Sequence, residues 1–222
     1  MRTMPFADFL RLWKQDMPDY LLHHEMAKWQ AEDFQYTEKF LPQGSFKSLE
    51  DFSMNYTIEL NQEHKSKFFH QVQVSLYPAV VSFLVQDLRA DFYGREGEKE
   101  RVLQFLKDEY PNQDPIIKVA HVVVSSDLNH DFSFVRHFGD KLLLPWVREN
   151  AVNEATFTHQ MGYSDGPTSQ YKNTDMAMWC AKSQFVQNIR RSWNHSVAAH
   201  GKEASDALGA AVKTTCRNLQ KR

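Results

Sequence analysis

Cysteine is scarce: Cys180 and Cys216 are the two in 222 residues, and neither has the close-spaced partner that a zinc ligand set or a disulfide framework needs. A reducing, intracellular compartment is the expectation. Long apolar runs are missing too, since no stretch approaches the roughly 18 to 20 residues of a membrane span. The N-terminal "MRTMPFADFLRLWKQDMPDYL" carries acids and a proline where a signal peptide would hold an unbroken apolar segment. No membrane partner is expected. Repeats, low-complexity tracts, and the signatures of a zinc finger or helix-turn-helix are also lacking.

An overall basic balance is absent, with 26 Lys and Arg against 28 Asp and Glu. The charge is nevertheless uneven. From Lys182 onward, eight basic residues face only Glu203 and Asp206, a net of +6 that leaves about −8 on the remainder. Such asymmetry permits a polyanion-facing C-terminal end, and it equally suits a solvated helix whose cations sit near its C-terminal dipole.

Apolar material is plentiful, at 42% of the chain, enough for one domain with a core plus an appended helical piece. Residues 1–44 form the expected helical arm, with Phe9, Leu10 and Trp13, then Leu21, Leu22, Met26 and Trp29, at helical spacing. Pro18 is expected to divide the arm into two helices. The main domain is expected over 45–222. "FKSLEDFSMNYT" reads as a first strand carrying Asp51. Val72, Val74 and Leu76 alternate with polar residues before "AVVSFLV", the pattern of a strand that becomes buried. A charged excursion at 87–115 holds the amphipathic "EKERVLQFLKDEYP", and "IIKVAHVVVSS" resumes as a central strand. "DFSFVRHFGDKLLLPWVREN" follows as a helix capped by Asp131, with Pro145 either kinking or ending it. "TFTHQMG", "TDMAMWCAKSQF", "SWNHSVAA" and "HGKEASDALGAAVKTTCRNLQK" complete the chain as strand, helix, strand, helix.

"YSDGPTSQYKN", residues 163–173, places Asp165 in a tight polar turn after a strand. Asp before Gly and Pro is ordinary turn chemistry. A carboxylate at a strand's C-terminal end, in the crevice above a sheet, is also where acid-rich metal sites are built. Other carboxylates decide between these readings. Three successive strands followed by alternating helix and strand is the element order of the ribonuclease H-like fold, a five-stranded mixed sheet flanked by helices. In that order Asp51 lies on the first strand, Asp165 ends the fourth, and Asp206 projects from the helix after the fifth. The three acids then converge. Such a cluster calls for a cation, and Mg²⁺ or Mn²⁺, as a pair of ions, suits oxygen ligands and phosphodiester chemistry.

"DFSMNY", "QVSLYP", "SSDLNHD", "YSDGPTSQYKN" and "HGKEASD" together resemble, in that order, the markers of a group of animal transposase-like proteins. The likeness spans roughly residues 45–213. It implies an RNase H-like domain of the DDE/DDD type, a metal-dependent polynucleotidyl transferase or nuclease with Asp51, Asp165 and Asp206 as its acids. It further implies DNA as partner, a nuclear place of action, and a homo-oligomer when acting on DNA. The chain departs from the pattern after "HGK", where Glu203, Ala204 and Ala207 stand. Glu203 shares a helix face with Asp206 and could be the third ligand instead. The departure also leaves open a domesticated, inactive copy that keeps the fold and binds nucleic acid or a protein.

Lys172, Lys202, Arg190 and Arg191 are the candidate contacts to a nucleic-acid backbone. His200 lies where it could touch a phosphate or serve only the turn. Tyr171 either stacks on a base or packs in the core. Phe132, Phe134 and Phe138 are expected to be helix packing.

Overall fold

The computed structural model describes residues 6–58, 72–153, 155–195 and 204–220. It is a mixed α/β architecture, a multi-stranded sheet flanked by helices. Helix α1 (Phe6–Lys39) precedes β1 (Ser45–Glu50), β2 (Ser53–Ile58) and β3 (Val72–Leu84). Helix α2 (Glu98–Glu109) leads to β4 (Ile116–Ser125), and α3 (Phe132–His137) runs through a π-helical segment into α4 (Leu144–Asn150). Then come β5 (His159–Ser164), α5 (Thr174–Gln187), β6 (Arg190–His195) and α6 (Ala204–Gln220).

Strand β3 is long enough to serve both its edges. On one it pairs antiparallel with β4, which pairs with no other described strand and so stands at the sheet's edge and not at its centre as expected; on the other it pairs with β2 through its first half and with β1 through its second. Strands β1 and β2 therefore run in succession along β3, separated by Asp51 and Phe52. Asp51 falls in this break and not within a strand as expected, although its backbone N–H still donates to the Pro78 carbonyl at 3.3 Å. Strand β5 pairs parallel with β1, and β6 parallel with β5. The C-terminal ends of β1, β5 and β6 thus lie at one edge of the sheet.

Alternation along the strands separates two faces. Tyr77, Ala79, Val81 and Phe83 join Phe46, Phe138, Tyr171, Met176 and Trp179 in the main core. Helices α3 to α5 cover this face, with Phe134 and Phe138 against Tyr77. Pro78 faces the other way, toward α6, which packs on β1, β2 and β3. The last turns of α1 dock beside it: Phe34 stands edge-on to Tyr163 at 5.4 Å, and the buried Lys47 ammonium donates to Glu38 at 2.7 Å.

Helix α1 corrects the expectation of two helices. It continues through Pro18 over 34 residues, because a proline removes one backbone hydrogen bond while the good helix formers on both sides retain theirs. Pro145 settles at the start of α4, where a missing N–H costs least. Asp131 caps α3 by accepting from the Phe134 N–H at 3.1 Å.

Candidate functional site

Strand register brings the first two acids together. The β1–β5 pairs run from Ser45 beside His159 to Leu49 beside Tyr163, and two further residues along each strand set Asp51 opposite Asp165. Neighbouring strands lie about 4.8 Å apart. Helix α6 supplies the third acid from the same face. Its Gly209 allows close approach, since a Cβ there would sit 3.0 Å from Ser53 Oγ. Asp206, one turn earlier, is thereby brought within hydrogen-bonding reach of the Asp51 carboxyl. Three segments far apart in the chain converge on one place.

The electrostatics record this crowding. Burial, then the charges of Asp165 and Asp206, push Asp51 up to about 7. Asp165 is raised by burial and by Asp206. Its Oδ1 is buried without a hydrogen-bond partner among the described residues. An orphaned carboxylate oxygen is costly unless something positive or hydrogen-donating meets it.

A second polar layer lies beneath, and the sequence reading missed it. Glu50 is fully buried on the core face, accepts from Tyr77 Oη at 2.7 Å, and is raised to about 7, chiefly by burial. Tyr171 Oη donates to Tyr77 Oη at 3.2 Å. Tyr171 is thus a core residue, and its phenol is raised by burial and then by the Glu50 charge, with Asp51 and Asp165 adding to it. A glutamate beside a strand-ending aspartate carries no signal of its own. Strand alternation, which must send one of Glu50 and Asp51 to each face, was the available clue.

The basic candidates divide. Lys172 is exposed beyond the Asp165 turn, and its charge, after burial, helps to hold the His195 ring below its ordinary value. Arg190 is exposed but begins β6, at the end of the sheet opposite the acids, where it bonds His159. Arg191 is a correction: it is buried, donates to Gln160 at 2.8 Å, pairs with Asp140 at 3.2 Å and lies over Trp179. Its guanidinium is consumed inside the fold and cannot meet a polyanion. Lys202, Glu203 and His200 lie outside the described residues.

Three aspartates make a hard, oxygen-only donor set, and the buried Asp165 oxygen has no hydrogen-bond partner among the described residues; the chemistry fits Mg²⁺ or Mn²⁺. Among the described residues, no three His, Cys, Asp or Glu side chains are already gathered as a metal ligand set. The acids are close enough for the charges of Asp165 and Asp206 to add to burial in raising Asp51, and for that of Asp206 to do so in raising Asp165.

Fold and site together define a mixed α/β domain with an acidic centre at the C-terminal edge of its parallel strands. The family model described as "Domain of unknown function (DUF8701)" matches residues 105–222, and the chain belongs to that family. The match includes Asp165 and Asp206 and stops short of β1 and Asp51. No curated protein and no solved structure matches the chain.

Proposed function

We propose that this is an RNase H-like domain that cuts or joins DNA phosphodiesters with divalent cations held by Asp51, Asp165 and Asp206. The observation that carries the reading is the convergence of these carboxylates, with Asp51 pushed to about 7 by burial and by the other two. The strand order supports it: β4, β3, the collinear β1 and β2, β5 and β6 form a mixed sheet, with two acids just past the C-terminal ends of the central parallel pair and the third on the helix that follows.

Mg²⁺ or Mn²⁺, when bound, supplies activation of a water or 3′-hydroxyl and charge stabilisation at the phosphate. The chain's own residues prepare that chemistry. Asp51 and Asp165 hold fixed positions because strand register sets their backbones, and Asp206 follows the seating of α6. Lys172, exposed at the same edge, is placed to pair with a backbone phosphate.

A second reading has its own observation. Among the described residues the side chains are not gathered as a ready ligand set, and one of the four basic candidates is buried, which suits a domain that keeps the fold without the chemistry. Incubating labelled DNA with the protein in Mg²⁺ or Mn²⁺ separates the two. Cutting or strand transfer that vanishes in Asp51→Asn and Asp165→Asn supports the catalytic reading. DNA left intact by a wild-type protein that still binds it supports the other.

A further inference from the structure

The first two-thirds of α1 reaches away from the domain. Its contacts with the sheet come from Gln30, Asp33, Phe34, Thr37 and Glu38. Before Gln30 the described side chains are exposed, apart from the half-buried Met17 and Ala27. Yet Leu10, Trp13, Tyr20 and Leu21 are 36%, 49%, 61% and 54% exposed. A groove of about 370 Å³ lined by Leu12, Trp13, Asp16, Met17 and Tyr20 runs alongside.

Leu10, Trp13, Met17, Tyr20, His24 and Ala27 alternate three and four residues apart, the spacing of a coiled-coil seam. Continued at the same spacing the seam reaches Ala31, Phe34 and Glu38, so it runs on into the docking side and is left uncovered where α1 leaves the domain. We infer that the seam is the interface with a second copy of this chain, formed by pairing of the two α1 arms. Covering it on both copies, with its flanks, removes on the order of 1,000 Å² from water, each half-exposed aromatic counting for about half of the 150–250 Å² it would bury in full, the size at which a specific interface begins. Charge permits self-association: Asp8, Asp16, Asp19 and Glu25 nearly balance Arg11, Lys14 and Lys28. A membrane surface would call for a basic polar face, which this arm lacks. The inference stands apart from the metal site and survives its loss.

Sedimentation equilibrium of the full chain at tens of micromolar tests the pairing. The wild type should carry the mass of two chains. Leu10→Glu with Met17→Glu should raise the dissociation constant at least about a hundredfold, as two charges buried in a seam cost several tenfold steps. Leu22→Glu, on the helix's other side, should leave the dimer intact. Hydrogen exchange of the wild type needs no variant: protection over residues 10–24 should rise with protein concentration. A monomeric wild type at ~100 µM, a double variant that remains a folded dimer, or concentration-independent exchange of the arm overturns the inference. Binding of the wild-type monomer to lipid vesicles in place of dimerisation assigns the face to a membrane and overturns it equally.

Discussion

Glu50 is the residue whose burial carries the clearest measurable consequence. Its folded value of about 7 stands above the ordinary 4.5, so the folded state holds a proton that the unfolded chain releases. The associated stability is full below about pH 4.5 and declines as pH rises toward 7, by about 3 kcal/mol as an order of magnitude. Glu50→Gln keeps an acceptor for Tyr77 and cannot ionise. Urea unfolding at a series of pH values should show a shallower decline between pH 5 and 7 in the variant, and an equal slope in both proteins would remove Glu50 as its source. Asp51 contributes a decline of the same sign, since its value is raised as well. Two neighbouring residues thus titrate on opposite faces of one strand end, a distinction visible in the sequence only as the alternation rule.

Among the elements, α6 does most to decide whether the site exists, because it carries the acid that is not on the sheet. Its approach depends on Gly209, where added atoms would meet Ser53 and then Pro78. Gly209→Leu should push the helix from the sheet and cost about 1–3 kcal/mol, as overpacking does. The same variant should weaken any Mg²⁺-induced rise in melting temperature, though it removes no acid. A destabilised Gly209→Leu that responds to Mg²⁺ like the wild type would show that α6 is not needed at the site. How much of this was legible follows from the kind of signal. Period-two alternation marked β3, and the positions of Asp165 and Asp206 followed from strand and helix order. The continuity of α1 was hidden, because a local rule about Pro18 weighs one hydrogen bond and not the 34-residue helix around it. The fate of Arg191 was partly readable: adjacent strand residues face opposite ways, so Arg190 and Arg191 could not both be exposed on a covered sheet. Its partners Gln160 and Asp140 come from other elements, which a linear reading does not bring together.

At the scale of the molecule, net charge misplaces the basic surface. The +6 excess of the C-terminal part includes a buried arginine and one at the sheet's far end, so the cation nearest the acids among the exposed, described candidates is Lys172. If DNA lies across the acidic edge, Lys172→Glu should weaken binding and lower the slope of log affinity against log salt by about 0.9 for a lost phosphate contact. Arg190→Glu should change neither. The reverse ranking, read by fluorescence anisotropy over a salt series, would move the DNA to the opposite end of the sheet.

The most direct measurement of the central claim is the binding of Mg²⁺ and Mn²⁺ to the folded chain, followed by calorimetry and by melting temperature. An ion that binds only the folded state raises its stability by mass action, and here it must displace the proton that Asp51 holds up to about pH 7. Binding should therefore release protons, and affinity should climb by up to about tenfold per unit as pH rises from 6 toward 7, then level off. Asp51→Asn should remove this pH dependence together with most of the affinity. Asp165→Asn should abolish the ion response while leaving the ion-free protein no less stable, since one member of a repelling cluster is gone. A wild-type protein whose heat of titration and melting are unmoved by millimolar Mg²⁺ and Mn²⁺ at pH 8 would contradict the account, because its three converging acids would then have no cation to hold.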